Sequence, residues 1–282
     1  MEQMKRMDPL EPGQMVVVKG IAQGETFIIN LMAGTNMKYE PFDNIALHMS
    51  FRHDEKHIVC NSYENGEWKK EERHKFVVKG GERVDVRIRA LRDRFQIYIN
   101  HVPSFEFEYR IPVGAVTAAE VKGSLSLNEF QAGKGGYYVS HRVACALVQY
   151  LSSSVPYEVP IRGLRPNSLV HICGMVDPKC DNFQVNLKHR GNNAFHFSPR
   201  FKEHVVVRNN NINGTWGTEE REGEMPFKKG HLFDMYIVVG EGSYRIEIDD
   251  RPFCVYRQLV PSDDIDAINV NGDVELLRLD NQ

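Results

Sequence analysis

The sequence predicts an all-β protein made of two β-sandwich domains in tandem. Self-similarity is the first reason. His48-Met-Ser50-Phe-Arg52 returns as His196-Phe-Ser198-Pro-Arg200, 148 residues later. The same spacing carries Val59 to Val207, Asn61 to Asn209, Asn65-Gly66 to Asn213-Gly214, Trp68 to Trp216, Glu71 to Glu219 and Arg73 to Arg221. Both tryptophans of the chain fall in this set, so chance is a poor account and duplication a good one. The second reason is alternation: short β-branched and aromatic stretches bounded by Gly, Pro and Asn recur along both halves. The third is that no window of a dozen residues outside 131–154 carries an apolar stripe of helical period.

Taken in order, Val16–Val18, Phe27–Leu31, Asp85–Arg89 and Phe95–Ile99 read as separate strands of the first copy. Phe27-Ile-Ile-Asn30-Leu31 matches Phe183-Gln-Val-Asn186-Leu187, and Phe95–Asn100 matches Tyr244–Asp249. Val121-Lys-Gly123 and Leu125 match Val270-Asn-Gly272 and Val274. From Asn30 to His48 is 18 positions, but from Asn186 to His196 only 10, so the first copy carries a longer loop at about Met32–Asp43. The expected domains are 9–130 and 155–282, each long enough to bury its own core. Between them, 131–154 reads as a linker by its Gly133, Gly135, Gly136 and Ser152–Ser154. Its apolar middle, Val143–Leu151, reads as a short strand or helix lying on one domain.

Composition narrows the function. Thirty-five Lys+Arg against 38 Asp+Glu give a net charge of −3, which excludes the basic footprint of a nucleic-acid binder. No apolar run approaches the ~20 residues of a membrane span, so no membrane insertion is expected. Met1–Asp8 has four charged residues and no apolar core, unlike a secretory signal. The five cysteines are odd in number and form no CxxC, which fits free thiols in a reducing compartment. The expectation is a cytoplasmic protein, with non-classical secretion as its route outward. His171 and Cys173 are explained by strand alternation, and Asp263, Asp264 and Asp266 lack the spacing of a calcium loop. No metal and no cofactor are therefore expected. Asn213-Gly214-Thr215 matches a glycosylation sequon but reads as a hairpin turn.

The chemistry sits on three strands. In Ile45–Arg52 the odd positions are apolar, while His48, Ser50 and Arg52 stand in a row on the other face. Phe195, Phe197 and Phe201 turn inward in the second copy, leaving His196, Ser198 and Arg200 outward. The next strand ends at Asn61, Asn65-Gly66 turns, and the chain returns as Trp68–Arg73. One patch then holds an indole, a carboxylate, two guanidiniums, an amide, a hydroxyl and an imidazole, with Glu71 clamped by Arg73 and Arg52. Fixed donors and acceptors beside a flat aromatic wall suit a sugar. A galactose-type ring, whose axial 4-hydroxyl leaves a continuous C–H face, suits it best.

His48-x-Ser50-x-Arg52, Val59-x-Asn61 and Trp68-x-x-Glu71-x-Arg73, with the second set, resemble the carbohydrate-recognition motif of galectins. The resemblance covers both copies. It is similar in arrangement to tandem-repeat galectins, and the first copy's pattern looks like the nematode type. It implies a jelly-roll sandwich that binds β-galactoside glycans of glycoproteins or glycolipids on its concave face, without metal or catalysis. By position, His48, Arg52, Glu71 and Arg73 would surround the galactose 4-hydroxyl and the neighbouring sugar. Asn61 and Glu71 would hold the 6-hydroxyl, and Trp68 would stack on the ring. His196, Arg200, Asn209, Trp216, Glu219 and Arg221 would do the same in the second copy. Ser50 and Ser198 stand where the family usually has Asn, and the shorter serine would reach the 4-hydroxyl through water. Phe51 and His53 replace the usual Pro and Phe, and Lys69 replaces the Gly kept as Gly217. Lactose-type glycans and galactose linked to fucose both stay open as ligands.

Two other functions compete. A glycosidase needs two carboxylates ~5–9.5 Å apart, but Glu71 and Glu72, adjacent in a strand, point to opposite faces. A protein-binding scaffold would show no competition by lactose. Two sites on one chain imply a monomeric, bivalent lectin that crosslinks two different glycoconjugates.

Overall fold

The computed structural model describes residues 2–36, 42–132, 149–153 and 155–281. The chain divides into two compact units, Met1–His141 and Arg142–Gln282. Apart from 3-10 turns at Val113–Ala115 and Ser262–Asp264, the regular structure of the described residues is all strand.

In the first unit the strands are β1 (Glu2–Arg6), β2 (Met15–Met32), β3 (Ile45–Arg52), β4 (His57–Glu64), β5 (Glu67–Trp68), β6 (Glu72–Lys75), β7 (Arg83–Ala90), β8 (Arg94–Ile99), β9 (Val102–Glu108) and β10 (Ala118–Gln131). All pairing is antiparallel. The expected strands Val16–Val18 and Phe27–Leu31 are one strand, β2, because its two halves serve different layers. Met15–Ile21 pairs with β7, and Phe27–Met32 pairs with β3. Strand β10 follows β2 across the same bend, with register shifts at Gly123/Leu125 and Leu127/Glu129. Gly123 permits the bend: its φ is +98°, and a Cβ there would stand 2.5 Å from the Thr26 carbonyl oxygen. One layer is thus β1-β10-β2-β3-β4-β6 and the other β10-β2-β7-β8-β9. Phe27, Phe51, Phe76, Phe95 and Phe107 fill the core between them.

The second unit has β11 (Gln149–Ser153), β12 (Tyr157–Pro160), β13 (Leu169–Val176), β14 (Phe183–His189), β15 (Asn192–Arg200), β16 (Val205–Asn209), β17 (Asn211–Ile212), β18 (Thr215–Trp216), β19 (Leu232–Val239), β20 (Ser243–Ile248), β21 (Arg251–Arg257), β22 (Ala267–Gly272) and β23 (Val274–Asn281). The layers are now separate sheets, β12-β22-β14-β15-β16 and β11-β23-β13-β19-β20-β21. Pro178, which has no N–H to donate, lies in the gap between β13 and β14 where β2 runs unbroken in the first unit. Gly272 repeats the part of Gly123, with φ +94° and a would-be Cβ 2.7 Å from the Asn182 carbonyl oxygen.

Strand β1 lies ahead of residue 9 and pairs with β10. Strand β11 lies within 131–154 and pairs with β23. Residues 133–148 and 154, the rest of the expected linker, fall outside the described residues, as does part of the longer first-copy loop.

Candidate functional site

Strand β3 lies between β2 and β4, so its outward row meets side chains from both. Asn30, His48 and Asn61 are in register across the three strands, and Ser50 lies opposite Val59, which lies opposite Arg73. Val59 and Val207 are buried yet outside the two core clusters, so they pave the site face rather than the core. Asn65 and Gly66 adopt φ of +54° and +88°, and Asn213 and Gly214 of +52° and +79°. These tight turns swing each tryptophan back over the histidine. Trp68 is 51% exposed and Trp216 50%. The His48 and Trp68 ring centroids lie 4.9 Å apart at 66°; those of His196 and Trp216 lie 5.0 Å apart at 69°. The structure therefore brings the predicted His, Ser, Arg, Asn, Trp, Glu and Arg together in each copy, with the indole open to solvent.

The first copy's imidazole has a fixed polarity. His48 Nδ1 lies 2.7 Å from Asn30 Oδ1, and Asn30 Nδ2 donates to Glu120 Oε2 at 2.6 Å. A carboxylate only accepts, so the amide orientation is set and Nδ1 carries the proton. Burial, aided by Lys122 and Arg52, pulls the His48 pKa down to about 4. The ring is neutral near pH 7, and Nε2 is left as an acceptor. His196 bonds Asn186 Oδ1 at 2.7 Å, and Asn186 Nδ2 donates to Asn269 Oδ1 at 2.9 Å. Its pKa is also held at about 4, by burial and then by Arg200.

The ionic clamp corrects one expectation. In the first copy Arg52 bonds Glu55, at 2.9 Å, rather than Glu71. Arg73 joins Glu55 at 2.8 Å and Glu71 at 3.0 Å, giving an open chain Arg52–Glu55–Arg73–Glu71. In the second copy the chain closes into a ring. Arg200 meets Glu203 at 3.4 Å and Glu219 at 2.8 Å, and Arg221 meets Glu219 at 2.7 Å and also bonds Glu203. These arginines hold the carboxyls of Glu55, Glu203 and Glu219 below the usual carboxylate range. Glu55 and Glu203 were not among the predicted site residues, although they too are 148 apart. That shared spacing was the available signal.

Ser50 and Ser198 are buried at the floor of the grooves, and Ser50 Oγ accepts from Arg52 Nε at 3.3 Å. Asn61 Nδ2 donates to the Lys69 carbonyl at 2.8 Å, and its Oδ1 accepts from Ser62 N and from Arg110. Arg110 also bonds the Lys70 carbonyl at 2.8 Å and Glu72 at 2.6 Å, so it braces the strand that carries the indole. In the second copy the Asn210 backbone N–H donates to Asn209 Oδ1 at 2.8 Å, as Ser62 does in the first, and Asn210 Nδ2 donates to the Tyr256 hydroxyl at 3.0 Å. Gly217 packs against that pair: a Cβ would stand 2.8 Å from Asn210 Nδ2. Tyr63 backs Trp68 at 5.3 Å. The second groove encloses about 640 Å³ and is lined by His196, Ser198, Arg200, Asn209, Trp216 and Glu219, among others.

A profile of the galactoside-binding lectin family matches the chain twice, over residues 3–132 and 156–280. A 32 kDa beta-galactoside-binding lectin of Caenorhabditis elegans is 37% identical over 275 residues, covering 95% of this chain and 91% of that protein. Its namesake in Haemonchus contortus is 38% identical over 275 residues, with 95% and 90% covered. Galectin-4 of Sus scrofa is 28% identical over 296 aligned residues, again with 95% and 90% covered.

Proposed function

The chain belongs to the galactoside-binding lectin family, and on that premise we propose that each sandwich binds one β-galactoside without altering it. The observation that carries this reading is the half-open indole facing a histidine whose ring is held neutral, repeated in both copies. The C–H face of galactose packs on Trp68 or Trp216. The axial 4-hydroxyl donates to His48 or His196 Nε2 and accepts from Arg52 or Arg200. The 6-hydroxyl takes the second N–H of Asn61 or Asn209 and meets Glu71 or Glu219. Arg73 and Arg221 face the neighbouring sugar. Ser50 supports this set from below by holding Arg52 rather than by reaching the ligand. Open grooves of this kind bind with Kd of roughly 0.01–1 mM, because much of each polar contact is offset by lost hydration.

The carboxylates favour binding over hydrolysis. Glu71 is paired with Arg73 and Glu72 with Arg110, on opposite faces of the strand. The arginine-held acids Glu55, Glu203 and Glu219 lie below the usual range, the reverse of what an acid catalyst needs. Titration calorimetry with lactose tests the reading. Two binding sites are expected in the intact chain and one in Trp68→Ala or Trp216→Ala. Unchanged heat in the double variant would overturn it.

A further inference from the structure

The two site histidines stand at the heads of relays that differ in their last residue. His48 leads through Asn30 of β2 to Glu120 of β10, in register across the three strands. His196 leads through Asn186 of β14 to Asn269 of β22, likewise in register. The contacts are alike in length: 2.7 Å from each imidazole Nδ1 to the asparagine Oδ1, then 2.6 Å to Glu120 and 2.9 Å to Asn269. Their chemistry differs. Glu120 is 1% exposed and pairs with Lys122 at 3.0 Å. Its carboxylate accepts and does not donate, so Asn30 turns its amide nitrogen to Glu120 and its oxygen to His48, and the ring proton sits on Nδ1.

An amide at the end of the relay imposes no such order. Asn269 has no other side-chain bond among the described residues. With both amides turned over, Asn269 donates to Asn186 Oδ1 and Asn186 donates to His196 Nδ1. The ring proton then exchanges through solvent and returns on Nε2, with every hydrogen bond of the relay kept. We propose that Glu120 and Asn269 are positioning residues that set which groups on galactose carbon 4 each groove accepts. The first groove presents a fixed lone pair at Nε2 and demands a hydroxyl that donates. The second presents either a lone pair or an N–H, so it also takes a group that only accepts.

The inference rests on the proposed pose, with the 4-hydroxyl at Nε2. The probe is 4′-deoxy-4′-fluorolactose, whose fluorine cannot donate, measured against lactose by competition calorimetry on the full chain. In Trp216→Ala, which keeps the first groove, fluorine faces a fixed lone pair and should cost about tenfold or more in affinity, the scale of a buried acceptor left unpaired. In Trp68→Ala the relay turns over, and the cost should be about threefold or less, because no lone pair is left facing the fluorine. Adding Glu120→Gln to the first variant should lower the penalty to the second groove's value, and adding Asn269→Asp to the other should raise it. Imidazole nitrogen chemical shifts of the unliganded chain read the cause directly. His48 should show one tautomer and His196 an average of two, and the two relay substitutions should exchange these signatures. Equal fluorine penalties in the two grooves, or one tautomer at both histidines, would overturn the proposal and leave the galactoside reading standing. Absence of lactose binding in both tryptophan variants would overturn that reading itself, and the pose with it.

Discussion

Glu55 and Glu203 occupy equivalent turns but carry different shares of their clamps. Among the described residues Glu55 is the one carboxylate that joins Arg52 to Arg73, whereas Arg200 and Arg221 are joined twice, through Glu203 and Glu219. Glu55→Gln should therefore cost the first site about tenfold in lactose affinity, and Glu203→Gln only two- to threefold in the second. Equal losses, measured in chains with the other tryptophan replaced, would refute the distinction. The histidines predict a pH profile. With both imidazoles near pKa 4, binding should stay flat from pH 8 to about 5 and fall as His48 and His196 protonate. Their folded pKa lies below the unfolded value of about 6.5. The unfolded chain thus binds protons that the fold refuses, and these groups erode stability as pH drops from about 6.5 to 4 and level off below. Denaturant titrations across that window would show it. The predicted residues were legible because they repeat in type and spacing. Glu55 repeats as well, but a charged turn looks like solvated surface until the arginines are seen leaning over it. Asn30 and Asn186 look like ordinary strand residues, because their partners Glu120 and Asn269 are some ninety residues away in sequence.

At the level of elements, alternation gave the site strands their faces, while the sharing of strands between layers was invisible to it. Val16–Val18 and Phe27–Leu31 look like two strands because polar Gln23-Gly24-Glu25 separates them. The chain runs on without a break because β10 accompanies it across the bend, and pairing between segments a hundred residues apart leaves no local trace. The cost of closing that bend falls on Gly123 and Gly272. Alanine at either should destabilise its domain by about 2 kcal/mol or more, through positive φ and a Cβ driven into a carbonyl oxygen. Gly114, with open space around its would-be Cβ and no positive φ, is the control and should change stability little. Thermal denaturation distinguishes them, and a neutral Gly123→Ala would show that the bend has another support.

For the molecule as a whole, on the proposed reading, two sites of different ionic design on one chain would act as a heterobifunctional crosslinker. The intact protein should agglutinate beads coated with β-galactosides, and either Trp68→Ala or Trp216→Ala should abolish agglutination while keeping one site's worth of lactose binding. Agglutination by a single-site variant would point to self-association instead. The placement of the tryptophans has a practical consequence. The chain has only two, one in each groove and each half open to water. All of its indole fluorescence therefore originates at the two candidate grooves. A sugar settling on either ring displaces water from it and should shift the emission toward the blue, so the unlabelled protein reports its own occupancy. Replacing one tryptophan with phenylalanine tells which groove is speaking.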